Sequence, residues 1–168
     1  SYVVATLELA RAEFDTALMG MAEDPDQALD RARAHAIESL DYYPGFPEAH
    51  DLLGRASILR AQRLGDTPEA DPAWAEAEQH LLTSIACGSK VAHNQHRLIA
   101  EARSARGDVP GAEESLVRAL ECDTDDADIW APFLELAEGS GRYRTLLQAV
   151  DWRIQLEQAR PLPNKSEL

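Results

Sequence analysis

Residues 93–122 read HNQHRLIAEARSARGDVPGAEESLVRALEC, two helix-like stretches hinged at Gly107. Before the glycine, Ile99, Ala100 and Ala105 supply apolar positions. After it, Ala112, Leu116, Ala119 and Leu120 fall at i, i+4, i+7 and i+8, which is one face of a helix. Gly141 stands 34 residues beyond Gly107, again between two such stretches. Trp130, Phe133, Leu134 and Ala137 precede it; Tyr143, Leu146, Leu147, Val150 and Ile154 follow. Between the blocks, Thr124, Asp125 and Asp126 carry the short polar side chains that cap helix N-termini. The unit is therefore an internal repeat of helix, turn and helix. One such hairpin cannot bury its apolar face alone, so several must stack.

The same spacing recurs upstream. After Pro47 come His50, Leu53, Gly54 and Ser57, then Ala77, Leu81 and Ser84. The first block keeps only its second helix, through Ala32, Ala36, Ser39 and Pro44. This resembles the tetratricopeptide repeat, whose period of about 34 residues runs W-x2-L-G-x2-Y, then A-x3-F, then P. His96, Ile99, Ala100 and Arg103 occupy its early slots in the third unit, and Trp130 and Phe133 do so in the fourth. Arg103 and Thr124 depart from the pattern. Small residues at Gly54, Ala77, Ala100 and Ala112 would let helices approach closely, with Leu53, Leu81, Ile99 and Leu116 filling the space between them.

The resemblance implies an all-α, right-handed α-solenoid of about four tetratricopeptide-type hairpins, with about eight helices. They are expected near 3–22, 26–42, 47–64, 71–87, 91–106, 109–122, 127–138 and 142–159. Residues 1–160 would form one helical repeat domain and 161–168 a disordered C-terminal tail. The connection from Leu64 to Pro72 reads as longer than the pattern needs, either functional or simply mobile. Pro132 lacks a backbone donor, so the seventh helix should begin late or bend.

Composition agrees with helices: aromatics are 6% and hydrophobic residues 45% of the chain, with alanine and leucine prominent. Net charge is −14, from 30 acidic and 16 basic residues, and lysine occurs only at Lys90 and Lys165. Such a surface repels nucleic acid and anionic lipid. It suits a basic protein partner, or it serves only to keep the chain in solution. No run reaches the roughly 18 apolar residues of a membrane helix, so direct membrane insertion is not expected. The chain begins with Ser1, so a targeting segment ahead of it is neither seen nor excluded, and cytoplasm and periplasm both stay open. Cys87 and Cys122 take equivalent slots in successive units, too far apart for a disulfide, and are expected as free, mostly buried thiols.

No catalytic signature stands out. Gly88-Ser89-Lys90 lacks the upstream glycine of a phosphate loop, and Gly139-Ser140-Gly141 lacks the third glycine of a dinucleotide fingerprint. His93 and His96, with Cys87, could be imagined on a metal, but His96 sits in the repeat's tryptophan slot. The aspartates Asp123, Asp125, Asp126 and Asp128 lack an EF-hand's glycine and terminal glutamate, and read as helix capping. The chain is thus read as a non-enzyme without cofactor or metal.

In the tetratricopeptide family the first helix of each hairpin lines a concave groove that holds protein segments. Carried over slot by slot, the groove here would show Glu48, Asp51, Leu52, Arg55, Ile58 and Leu59. Asn94, Arg97, Glu101 and Ser104 would continue it, then Asp128, Ala131, Glu135 and Glu138. Some members grip a C-terminal carboxylate with lysine, asparagine and arginine. Only Asn94 and Arg97 are similar to that set, and Asp51 stands where a cation would be wanted. The expected partner is therefore a protein or peptide with a basic or mixed-charge face and an apolar anchor near Ile58 or Leu59, unless the Leu64–Pro72 connection covers them. Trp152 and Leu156 lie off the main apolar stripe of the last helix and suggest an oligomer surface. The expected role is an interaction scaffold or adaptor. The alternative is a self-assembling structural module, or an accessory domain of a larger secretion, pilus or envelope assembly.

Overall fold

The computed structural model describes residues 2–123 and 127–139, together with Gly141, Asp151, Ile154 and Gln155. The order of elements is α1 (Tyr2–Leu18), α2 (Pro25–Tyr42), α3 (Pro47–Leu64), α4 (Ala70–Ala86), α5 (Ala92–Ala105), α6 (Val109–Cys122) and α7 (Ala127–Gly139). There is no strand among the described residues. None of the described helices is long and apolar enough to cross a membrane.

Local chemistry sets the boundaries. Asp24 caps α2 by accepting from the backbone N–H of Asp26 and Gln27, and Pro25 occupies the first turn, where its missing donor costs nothing. Asp108 caps α6 in the same way through Gly111, with Pro110 in the first turn. Gly107 and Gly141, which announced the period in the sequence, are turn glycines with φ of 79° and 67°. A side chain at either position would strain that left-handed backbone.

Packing runs in series. Leu7, Ala10, Phe14, Leu29 and Leu53 belong to one cluster shared by α1, α2 and α3. Ile58, Ala77, Leu81 and Ile99 form the next, across α3, α4 and α5. Ala100, Ala112, Leu116, Leu120, Ile129 and Phe133 form the third, across α5, α6 and α7. Each cluster joins one hairpin to the first helix of the next, which is how a linear repeat buries what no hairpin can bury alone.

Two arginines add polar ties between the helices of the stack. Arg33 of α2 donates to Ser57 Oγ at 2.7 Å and to Glu76 Oε1 at 2.6 Å, linking α2, α3 and α4. Arg103 donates to Glu78 Oε1 at 2.7 Å, to the Gly111 carbonyl at 3.1 Å and to Ser115 Oγ at 3.0 Å. Its departure from the repeat pattern is thereby explained: a forked guanidinium joins α4, α5 and α6. Gln95, fully buried, donates to Asp51 Oδ1 at 3.0 Å and Ser84 Oγ at 2.7 Å. Ser84 donates its own proton to the Pro47 carbonyl, so the amide orientation of Gln95 is fixed, and its Oε1 has no hydrogen-bond partner.

Several expectations need correction. The connection after α3 is only Gly65–Glu69, because the extra residues of this hairpin lengthen the helices: α3 and α4 have 18 and 17 residues against 14 each in α5 and α6. Cys87 and Cys122 are free as expected but exposed rather than buried. Each ends the second helix of its hairpin, where the chain leaves the packed face to turn. α7 begins at Ala127 and carries Pro132 inside it, so it does not begin late. Of the expected helix over 142–159 only Asp151, Ile154 and Gln155 are described, and all three are helical; the caps at 124–126 and the tail at 161–168 lie outside the described residues.

Candidate functional site

Of the residues carried over to the groove, the structure brings together two groups. Glu48, Asp51, Leu52 and Arg55 of α3 border a hollow of about 330 Å³ with Arg11, Phe14 and Asp15 of α1 and Ser89, Lys90 and Val91 ahead of α5. Arg55 lies over the Phe14 ring, 4.9 Å from its centroid, so its charge is partly engaged within the chain. Leu52 is 3% exposed and belongs to the core rather than the rim.

The second hollow is larger, about 590 Å³, and opens between α3, α5 and α7. Trp74, Ala100, Leu116, Pro132 and Leu136 give it an apolar lining, while Arg97, Glu101, Ser104 and Glu135 supply polar groups. Glu101 accepts from Gln62 at 2.7 Å, and Arg97 donates to Asn94 Oδ1 at 3.0 Å. Asn94 and Arg97 are thus engaged with each other. A third hollow of about 550 Å³ shares Gln62, Trp74 and Ala105 with it and reaches the turn after α3. Half-buried Trp74 is therefore the common wall of two openings.

Five expected residues fall elsewhere. Ile58, 5% exposed, is closed off by Ala77, Leu81 and Ile99 of α4 and α5, and Leu59 packs against the first cluster. They are packed by these helices and so do not serve as the expected apolar anchor. Asp128, Ala131 and Glu138 are exposed on α7 outside the hollow's lining. Trp152 and Leu156 lie outside the described residues. Conversely, Gln62, Trp74 and Leu136 were missed. Trp74 sits on α4, a second helix, whereas the expected groove drew only on first helices.

His50 and His80 meet Nδ1 to Nδ1 at 3.1 Å, on α3 and α4. His50 Nε2 lies 3.0 Å from the Pro44 carbonyl, which can only accept. This assigns the His50 proton to Nε2, leaves its Nδ1 as acceptor, and makes His80 the donor. His80 Nε2 stands 4.0 Å from Glu76 Oε1. Burial, then the neighbouring His50, and also Arg33, hold the His80 pKa below its ordinary 6.5, against the pull of Glu76. Among the described residues no three histidine, cysteine or acidic side chains gather as a metal site, and His93 and His96 are half-buried on α5.

The sign of the pH effect follows. A histidine that resists its proton in the fold stabilises the fold above the unfolded value and loses that contribution as pH falls through it. Burial lowers His96 too, so both act in the same window. Stability should fall from about pH 6.5 downward, before the lowered carboxylates Glu13, Glu38 and Glu76 begin to be protonated. Urea midpoints measured between pH 8 and 5 should decline, and His80→Gln should flatten that decline. A variant as pH-sensitive as the parent contradicts the assignment.

No protein-family model matches the sequence, and no curated protein matches it. Solved structures do. The first TPR of Spaghetti (RPAP3), bound to an HSP90 peptide, superposes with a TM-score of 0.59 at 15% identity, over 80% of this chain and 95% of that one. The first TPR domain of human RPAP3 gives 0.57 at 13% identity, over 85% and 96%. A thermophilic TPR protein of Thermus thermophilus gives 0.64 at 20% identity, over 97% and 75%. The chain has the tetratricopeptide-repeat fold. At these identities the likeness concerns the path of the helices and not their surfaces. In tetratricopeptide terms α1, α3, α5 and α7 are first helices, and α2, α4 and α6 are second helices.

Proposed function

We propose that the chain is a non-enzymatic adaptor that binds a protein segment in the hollow between α3, α5 and α7. The supporting observation is an apolar lining of Trp74, Leu116, Pro132 and Leu136 beside the carboxylates of Glu101 and Glu135. A bulky apolar side chain would fill the hollow, and a basic neighbour would meet the acidic rim. The net charge of −14 works in the same direction at longer range. Arg97 supplies one opposite charge, which favours a mixed rather than uniformly basic ligand.

The test is to pan a random-peptide library on the intact chain. Selected peptides should combine an aromatic or large aliphatic residue with lysine or arginine. Their affinity should fall about ten- to a hundredfold in Glu101→Lys/Glu135→Lys, and should weaken at high salt. Acidic selections, or affinities indifferent to the double reversal, would refute this site.

A further inference from the structure

We infer that His50 and His80 form a two-histidine site for a divalent transition-metal ion of the zinc, copper or nickel class, which staples α3 to α4. Imidazole nitrogen is a ligand that suits all three ions. Gly54 brings the two helices together: a Cβ there would stand 2.6 Å from Leu81 Cγ. His50 stands about one turn before Gly54 on α3. His80 stands beside Leu81 on α4, so the same close approach sets ring against ring. Ala49 and Leu81, their sequence neighbours, have no exposed surface and hold both backbones in place. The rings themselves are half-buried, so water reaches them.

Spacing and donor chemistry both suit an ion. Nitrogens bound at about 2.0–2.1 Å lie roughly 3.3 Å apart around a tetrahedral ion and about 3.0 Å apart at right angles. The two Nδ1 atoms are 3.1 Å apart. The Pro44 carbonyl, 3.0 Å from His50 Nε2, holds that ring's proton on the far side and leaves Nδ1 its lone pair. A metal-bound histidine ordinarily has such an acceptor on its other nitrogen. His80 has its counterpart in Glu76, whose Oε1 is 4.0 Å from His80 Nε2. When the ion binds, the His80 proton leaves Nδ1 and one is taken up at Nε2, facing Glu76, so the ring stays neutral. Both rings tilt about their soft terminal torsions, and the ion sits off the line between the nitrogens on the solvent side. Water fills the remaining positions. Burial, then the neighbouring His50, keeps His80 from taking a second proton that would block the ion.

The test titrates zinc chloride into the Cys87→Ser/Cys122→Ser chain, because the two exposed thiols would compete for the ion. Calorimetry at about pH 7.5, above the histidine range, should find one ion per chain. His50→Gln or His80→Gln should each weaken binding at least about tenfold. His93→Gln/His96→Gln should leave it unchanged. Saturating zinc should raise the Tm of the parent and not that of His80→Gln. Far-UV circular dichroism checks that each variant folds, and a second readout needs no variant. In the histidine nitrogen-15 spectrum of the parent, Nδ1 of both rings should shift on binding while both Nε2 stay protonated. No binding up to about 1 mM zinc, an affinity indifferent to both single substitutions, or shifts at Nε2 instead of Nδ1 would each overturn the site. None of these readouts involves the hollow between α3, α5 and α7.

Discussion

Gly54→Leu should destabilise the chain by at least about 4 kcal/mol, a large share of the 5–15 kcal/mol that holds a domain together. A Cβ at Gly54 would stand 2.6 Å from Leu81 Cγ, 2.9 Å from its Cδ2 and 3.3 Å from the Ala77 carbonyl oxygen. Leu81 has no exposed surface and packs with Ile58, Ala77 and Ile99, so it has nowhere to go. Even alanine is a contest here. Its helix propensity gains about 1 kcal/mol, against about 1–3 kcal/mol of overpacking. Leucine adds three more carbons to the same gap, and the clash wins. In a chain of this size 4 kcal/mol corresponds to a fall in Tm of roughly 8–16 °C, read by calorimetry. Adding Leu81→Ala to Gly54→Leu should restore part of the loss. A Gly54→Leu variant that melts with the parent would mean that α3 and α4 do not approach as described.

Phe133→Ala should cost about 3–5 kcal/mol, because the ring is wholly buried in the cluster that carries α7 onto α5 and α6. The Trp130 ring meets it edge-on at 6.2 Å and would lose that neighbour too. Unlike Gly54, Phe133 lies towards the far end of the described series. Its loss should therefore loosen the last hairpin more than the first, with tryptophan fluorescence shifting before the helical signal collapses.

The helices were legible because their apolar residues recur at helical spacing: Ala112, Leu116, Ala119 and Leu120 predict their own burial, and all four are buried. The repeat was legible through two turn glycines and one small residue, Gly54. Depth was not. Slot-by-slot transfer says which side of a helix a residue occupies, but Leu52 and Ile58 lie deep enough for neighbouring helices to cover them. Exposure of Cys87 and Cys122 was missed for a related reason, since equivalent slots say nothing about where a helix leaves its neighbours. The Arg33 and Arg103 clamps join residues 43 and 25 positions apart, and no local pattern announces such pairs. Trp74 needed the packing of α4 against α5 before it could be placed in the hollow.

Serial stacking is the claim on which groove and clamps both depend. Hydrogen exchange followed by mass spectrometry on Phe133→Ala tests it most directly, because a linear stack confines damage to neighbours. Amides of α6 and α7 should exchange at least about tenfold faster than in the parent, while those of α1 and α2 keep their parental rates. Equal acceleration from α1 through α7 would describe a single closed bundle, and would contradict a chain of hairpins each held by the next.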